Sequence, residues 1–208
     1  MAFPMTCFCD IHLNKLIPHM NFYGYYGIGL NKEWGVRKGI QPIHYINAAS
    51  YLRKDFSEVF SYALSLNEKE NKEIFNKHND YLLTDLLYMK PLNGMMLRDG
   101  KYELRNFHDE KEWRYVPNLS KVTTDLPLLI PQEQLNPKAY STYTAGLRQC
   151  REFWLHLEYE NIKYIIVKST KDRDEIITFI MEMLEAKNID KLTLVSKVIV
   201  FDELKEDW

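Results

Sequence analysis

The sequence predicts an α+β protein, in which a twisted, mainly antiparallel sheet carries a helical-hairpin insertion. Short apolar or alternating runs that contain Gly and aromatic residues occur towards both ends of the chain and are typical of strands. Between residues 50 and 90 the apolar residues recur instead at helical spacing. The chain has 208 residues, 46% of them hydrophobic, which is enough for a buried core. We predict a single domain over residues 1–208, with residues 50–90 as the insertion.

The first quarter of the chain is predicted to be rich in strands. Asn31 precedes a short polar stretch with a Trp and a Gly, so we expect its side chain to cap a helical turn that begins at Lys32. The other predicted elements are a strand Phe3–Ile11, a short helix Leu13–Asn21, and strands Tyr25–Leu30 and Pro42–Ile46.

The insertion reads as two helices with a common apolar seam. Lys90 and Pro91 end the second helix, because proline cannot continue it. The seam consists of Leu52, Phe56, Val59, Phe60 and Ala63, and then Phe75, Leu82, Leu86 and Met89.

The rest of the chain alternates between strands and helices. Asp99-Gly100 is a candidate hairpin turn, and Asp172 with Glu175 three residues later resembles a capping box. The predicted elements are strand Glu110–Val116, helix Lys138–Arg151, an alternating strand Leu155–Glu160, strand Tyr164–Val167, a helix after Asp172, and a closing strand Lys197–Phe201.

Composition excludes several classes of function. The net charge of -2 and the pI near 6.3 argue against a nucleic-acid partner. The sequence contains no run of about 18 apolar residues, so it predicts no membrane-spanning helix. The odd number of three Cys fits a reducing cytoplasm. Cys7 and Cys9 lack a second matching pair, so we expect small buried residues and no metal site.

The segment Glu110–Val116 holds the strongest candidate for chemistry. In a strand, Glu110, Glu112 and Arg114 share one face, whereas Lys111, Trp113 and Tyr115 share the other. We expect Trp113 to be buried, with the charged face towards a cleft or a neighbouring strand. Two interpretations stay open. The carboxylates are catalytic, or they form ion pairs with charges on neighbouring strands.

Several segments together resemble a known family over nearly the whole chain. The segments are Met5–Ile11, Tyr23–Gly35, Pro42–Ile46, Asp109–Pro117, Ile162–Val167, Ser196–Phe201 and Glu206–Trp208. In order and spacing they are similar to the AbiGi abortive-infection family of phage-resistance antitoxins. The resemblance implies a phage-defence function, and a partner toxin that resembles a nucleotidyltransferase and that an antitoxin can oppose without direct contact.

One departure from that family concerns the start of the chain. AbiGi proteins usually begin with a further segment, which has a His-Phe-Thr-like stretch and an apolar helix, before the strand that resembles Cys7–Asp10. This chain starts at Met1-Ala2-Phe3-Pro4. We therefore expect whatever that segment contributes to be absent here.

A more remote resemblance, to ADP-ribosyltransferase folds, gives the alternative function of an active or degenerate enzyme that uses NAD. It implies catalytic roles for Glu112, which would hold a ribose hydroxyl, and for Glu110, which would orient an acceptor. Tyr23, Tyr25 or Tyr26 would stack on the nicotinamide. Arg114 and His19 would contact the pyrophosphate. In the main interpretation no cofactor is expected.

Three glycines in the second predicted strand also invite a nucleotide-loop interpretation. The spacing of Gly24, Gly27 and Gly29 matches neither the dinucleotide fingerprint nor a phosphate loop. Close packing of backbone within the sheet explains these glycines better.

Overall fold

The computed structural model describes residues 2–65, 72–118, 125–127, 129–183 and 186–204. The side chains of residue 64 and of residues 72–79 lie outside this description. The strands, in chain order, are β1 (Thr6–Cys9), β2 (Gly27–Leu30), β3 (Gln41–Pro42), β4 (His44–Ile46), β5 (Met89–Pro91), β6 (Asn93–Arg98), β7 (Lys101–Asn106), β8 (Glu112–Tyr115), β9 (Ile162–Val167) and β10 (Val198–Val200).

The α-helices account for most of the remaining regular structure. In chain order they are α1 (Ile17–Tyr23), α2 (Lys32–Arg37), α3 (Tyr51–Ser65), α4 (Lys72–Leu87), α5 (Pro137–Gln149), α6 (Thr170–Glu182), α7 (Asn188–Val195) and α8 (Phe201–Leu204). No helix in the described ranges is long and apolar enough to cross a bilayer.

The chain divides into two compact units. The first comprises Met1–Asp10 and Gln41–Phe153, and the second comprises Ile11–Ile40 and Trp154–Trp208. The chain enters the first unit, leaves it after one strand and returns. The prediction of a single domain over residues 1–208 stays a prediction.

The first unit contains three small sheets and the two helices of the predicted insertion. Strands β1, β8 and β3 form an antiparallel sheet with β8 in the middle. Strand β4 pairs in parallel with β5, and β6 pairs with β7 as an antiparallel hairpin. Its buried apolar side chains include Ile43, Leu87, Phe107, Tyr143 and Phe153.

The second unit is a three-stranded mixed sheet with helices. Strand β9 lies in the middle, parallel to β10 and antiparallel to β2. One apolar cluster has Leu16, Met20, Ile166 and Phe201 at its centre. A second contains Ile162, Ile180 and Leu194, so β9 contributes to both.

Two local predictions are confirmed. The Asn31 side chain accepts a hydrogen bond from the Trp34 main-chain N–H at 3.1 Å and thus caps α2. Asp99 and Gly100, with φ of 47° and 77°, form the tight turn between β6 and β7.

Three local predictions are wrong. Glu110 ends a 3-10 helix, Phe107–Glu110, because Asn106 caps that turn and Lys111 adopts a left-handed conformation with φ of 44° before β8 starts. Residues 155–158 form no strand, because none of the strand pairings among the described residues includes them, and Tyr159–Asn161 form a 3-10 helix. The capping box of α6 pairs Ser169 with Asp172, one turn earlier than expected.

The fold class is confirmed. Four of the six strand pairings in the described residues are antiparallel, and α-helices occupy both units. Helices α3 and α4 lie where the helical hairpin is predicted, and they contact each other.

Candidate functional site

A cluster of four charged side chains lies in the first unit. Glu112 and Arg114 project from the same face of β8, Glu110 ends the preceding 3-10 helix, and Lys90 lies on β5. Their side chains are 7%, 8%, 8% and 19% exposed, respectively. Charged groups are rarely this deeply buried unless they are paired. We refer to these four residues as the charge cluster.

The opposite charges of the charge cluster are in direct contact. Lys90 Nζ donates to Glu110 Oε2 at 2.6 Å and to Glu112 Oε2 at 2.8 Å. Arg114 Nε donates to the other oxygen, Glu112 Oε1, at 2.6 Å. Two carboxylates therefore face two cations, and the cluster has no formal net charge.

Arg114 also connects the cluster to the backbone. Its Nη1 donates to the Leu87 carbonyl oxygen, at the end of α4, and lies 3.4 Å from the Met89 carbonyl oxygen. The last carbonyls of a helix have no partners within the helix, and this guanidinium supplies a partner for one of them.

Tyr45 and Phe107 contact members of the charge cluster. The Glu112 main-chain N–H donates to Tyr45 Oη at 2.7 Å, and the Tyr45 ring meets His108 edge-on. Lys90 Nζ lies 4.4 Å from the centre of the Phe107 ring, a favourable position for a cation.

These contacts favour the ionised forms of Glu112 and Lys90. Burial alone would raise the pKa of Glu112, but hydrogen bonds from Arg114 and Lys90 outweigh it, and the pKa lies below its ordinary value. Burial alone would lower the pKa of Lys90, yet its bonds to Glu110 and Glu112 raise it. A carboxylate with a lowered pKa is a weak proton acceptor, because general bases work best with a pKa near the working pH.

The cysteines of β1 lie differently from the prediction. Cys7 and Cys9 are exposed residues, not buried ones, and they lie on β1 at an edge of its sheet. Burial of the Cys7 thiol and the neighbouring Glu112 carboxylate nonetheless raise the pKa of that thiol to about 11.

The structure brings together three of the predicted site residues, Glu110, Glu112 and Arg114, although Glu110 is not in the strand. The expected burial of the two faces of β8 is reversed, since Trp113 is half-buried and the charged face is buried. The expectation that Trp113 is the buried side chain is therefore wrong. The catalytic roles stay a hypothesis.

The other predicted site residues belong to the second unit. The rings of His19 and Tyr23 are 4.6 Å apart. Tyr26 is 66% exposed and its hydroxyl donates to Asp172 Oδ1 at 3.2 Å. The NAD contacts expected of His19, Tyr23 and Tyr26 stay predictions.

Lys90 and Tyr45 were missed by the sequence analysis. Lys90 was interpreted only as part of a helix end. One signal was available: two carboxylates and one arginine on the same predicted strand face leave one carboxylate without a cationic partner on that face. Nothing local indicates which of the lysines supplies it.

Comparison with known proteins places this fold in a family. A family model described as "putative abortive phage resistance protein AbiGi, antitoxin" matches residues 1–168. The chain belongs to the AbiGi family. A relative, the abortive phage resistance protein AbiGi of Lactococcus lactis subsp. cremoris, is 35% identical over 226 aligned residues, which cover 99% of this chain and 88% of the relative. No solved structure matches the fold.

Membership of the AbiGi family makes the chain a phage-defence protein of a family described as an antitoxin. An antitoxin implies a toxin partner in general. All four residues of the charge cluster lie within the matched residues 1–168. The resemblance to ADP-ribosyltransferase folds stays a hypothesis.

Proposed function

We propose that this AbiGi chain is an antitoxin that acts without catalysis by the charge cluster. The charge cluster then has a structural role: it stabilises the fold of the antitoxin. The partner is a toxin that resembles a nucleotidyltransferase and acts in the same bacterial cytoplasm. Opposition to the toxin does not require direct contact between the two proteins.

The pairing of Glu112 is the observation that most supports a structural role for the charge cluster, whereas the antitoxin role rests on the family. Both of its carboxylate oxygens accept charge-assisted hydrogen bonds, one from Lys90 and one from Arg114. Only 7% of its side chain is exposed. A glutamate that held a substrate hydroxyl would need an oxygen within hydrogen-bond reach of the substrate, and so a surface open to it.

The proposal is tested by growth protection. The gene for the toxin that the chain is proposed to oppose is expressed from an inducible promoter in a bacterial host, with and without this chain. We expect the chain to restore growth, and failure of the wild-type chain to restore it would overturn the antitoxin assignment. Copurification of the two proteins distinguishes direct contact from opposition without contact.

A second experiment tests the enzyme interpretation. The purified chain is incubated with labelled NAD and cell lysate. We expect no transfer of label. Transfer that disappears in Glu112→Gln but persists in Glu133→Gln, an exposed glutamate of the same unit, would overturn the structural assignment of the cluster.

A further inference from the structure

The β6–β7 hairpin presents an exposed apolar face. Alternation along each strand and the register between the strands place Met95 opposite Leu104 and Leu97 opposite Tyr102, all four on the same face. Their exposed fractions are 59%, 71%, 57% and 68%, in that order. We refer to these four residues as the hairpin face.

The hairpin face is unusual because more than half of each of its four apolar side chains is exposed. Within the described residues, β6 and β7 pair only with each other. A two-stranded sheet is marginally stable in water, and it gains stability when its apolar face is covered. Contiguous exposed apolar patches on a folded protein mark interaction sites. The four residues form two adjacent cross-strand rows, so the patch is contiguous.

We propose that a second copy of this chain covers the hairpin face, so that the protein forms a two-fold symmetric dimer. The four side chains are uncharged, so two copies of the face meet without repulsion between like charges. A two-fold axis between the two rows would place Met95 and Leu104 of one copy against Leu97 and Tyr102 of the other. Each row thereby meets a row of similar size, and the interface is self-complementary.

The area of the hairpin face lies at the lower end of what such a dimer needs. Four large side chains, each more than half exposed, present on the order of 500 Å² of surface. Two copies would bury about 1,000 Å², which is near the lower limit for a specific protein interface. Two ribbons packed face to face about 10 Å apart would form a small β-sandwich.

The surroundings of the hairpin face suit the same arrangement. Asn93 and Asn106 continue the face towards the base of the hairpin, where they line a shallow depression together with Leu104 and His108. The turn at Asp99 lies at the opposite end, and its side chain is 93% exposed. In a two-fold dimer the turn of one copy lies over the depression of the other, so an acidic side chain meets amide and imidazole groups.

The proposal is tested by the mass of the full chain in solution. Sedimentation equilibrium across the micromolar range is measured for the wild type, for Tyr102→Thr/Leu104→Thr and for Tyr51→Thr/Leu52→Thr. Tyr51 and Leu52 are 84% and 57% exposed in the same unit, so the second variant controls for the loss of any exposed Tyr-Leu surface. Threonine keeps the strand propensity of the hairpin.

We expect the wild type and the control to show twice the chain mass of 24.8 kDa. The hairpin variant should associate at least tenfold more weakly, as expected when central aromatic and aliphatic contacts of an interface are removed. A wild type that stays monomeric, or a hairpin variant that dimerises as well as the control, would overturn the proposal. If the toxin binds the hairpin face of a monomer instead, that result also overturns it.

Discussion

The guanidinium of Arg114 on β8 donates a hydrogen bond to the main-chain carbonyl of Leu87, the last residue of α4. The same guanidinium binds the Glu112 carboxylate through Nε. Arg114 thus joins the end of a helix of the insertion to the central strand of a sheet. Through Glu112 it is also connected to Lys90 and Glu110.

We predict that Arg114→Met strongly destabilises the first unit. It would leave the Leu87 carbonyl and the Glu112 carboxylate buried with fewer partners. Removal of one partner of a buried ion pair costs about 3–5 kcal/mol. Arg114→Lys should recover part of the loss, because a lysine keeps the charge but not the planar fork. Denaturant unfolding measures both variants.

Arg98→Met is the control for this prediction. Arg98 Nε lies 3.6 Å from Oδ2 of Asp99, whose side chain is nearly fully exposed. Exposed ion pairs contribute about 0–1 kcal/mol to the free energy of unfolding. A loss of less than about 1 kcal/mol in Arg114→Met would show that the cluster does not hold the unit together.

A second prediction concerns the balance of charge in the cluster. Lys90→Met leaves Glu110 and Glu112 buried with one cation, whereas Lys90→Met/Glu110→Gln leaves the Glu112–Arg114 pair balanced. The double variant should therefore be more stable than the sum of the two single losses predicts. We expect a coupling free energy of about 1–3 kcal/mol in a double-mutant cycle. Additive losses would mean that Lys90 and Glu110 do not interact energetically.

A third prediction concerns pH. The pKa of Glu112 in the folded state lies below its ordinary value, so the ionised carboxylate stabilises the fold above the unfolded pKa, about 4.3. That contribution is lost as pH falls through the folded pKa. The pKa of Lys90 is raised, so its contribution persists below about 10.4 and is lost at higher pH, as the pH rises through the folded pKa.

The pH prediction is checked by the difference in unfolding free energy between the wild type and Glu112→Gln. This difference in unfolding free energy should have its largest value at pH 7. It should become smaller as the pH falls below about 4.3, the pKa of a glutamate in the unfolded chain. The exposed Glu133→Gln provides the matched comparison. A difference that stays constant down to the acid limit of folding would contradict the assigned pKa shift.

A fourth prediction concerns the glycines of β2. A Cβ at Gly29 would lie 2.8 Å from Cδ2 of Tyr164 on β9, whereas a Cβ at Gly27 would lie 3.9 Å from Ile166. Gly29→Ala should cost about 1–3 kcal/mol, as overpacking does. Gly27→Ala should be neutral or slightly stabilising, because alanine loses less backbone entropy than glycine. Thermal unfolding measures the stability of the two variants. Equal changes in stability for Gly29→Ala and Gly27→Ala would contradict the packing explanation.

The sequence predicted features that depend on neighbouring residues. The Asn31 cap and the Asp99-Gly100 turn are confirmed because their hydrogen bonds and backbone angles are set within four residues. The same local chemistry explains one error. Asn106 accepts from the His108 main-chain N–H and starts a 3-10 turn, which removes Glu110 from the strand.

Features that depend on distant residues were not predictable. Lys90 is 20 and 22 residues from its two carboxylate partners, and no local pattern distinguishes it from other lysines. The alternation of residues 155–160 matched a strand, but Glu158 bonds to Trp34, 124 residues away. The burial of the two faces of β8 was reversed because pairing by Lys90 and Arg114 makes a charged surface tolerable in the interior.

The most direct test of the account is growth protection per folded molecule. Glu112→Gln and wild-type chains are expressed with the toxin, and the folded amount of each is measured in the same cells by limited proteolysis. If the charge cluster is structural, protection should fall only in proportion to the folded amount of the variant. The protection per folded molecule should then be the same for the wild type, Glu112→Gln and Lys90→Met/Glu110→Gln. A Glu112→Gln chain that is fully folded and yet gives no protection would contradict the account, because the carboxylate itself would then carry the function.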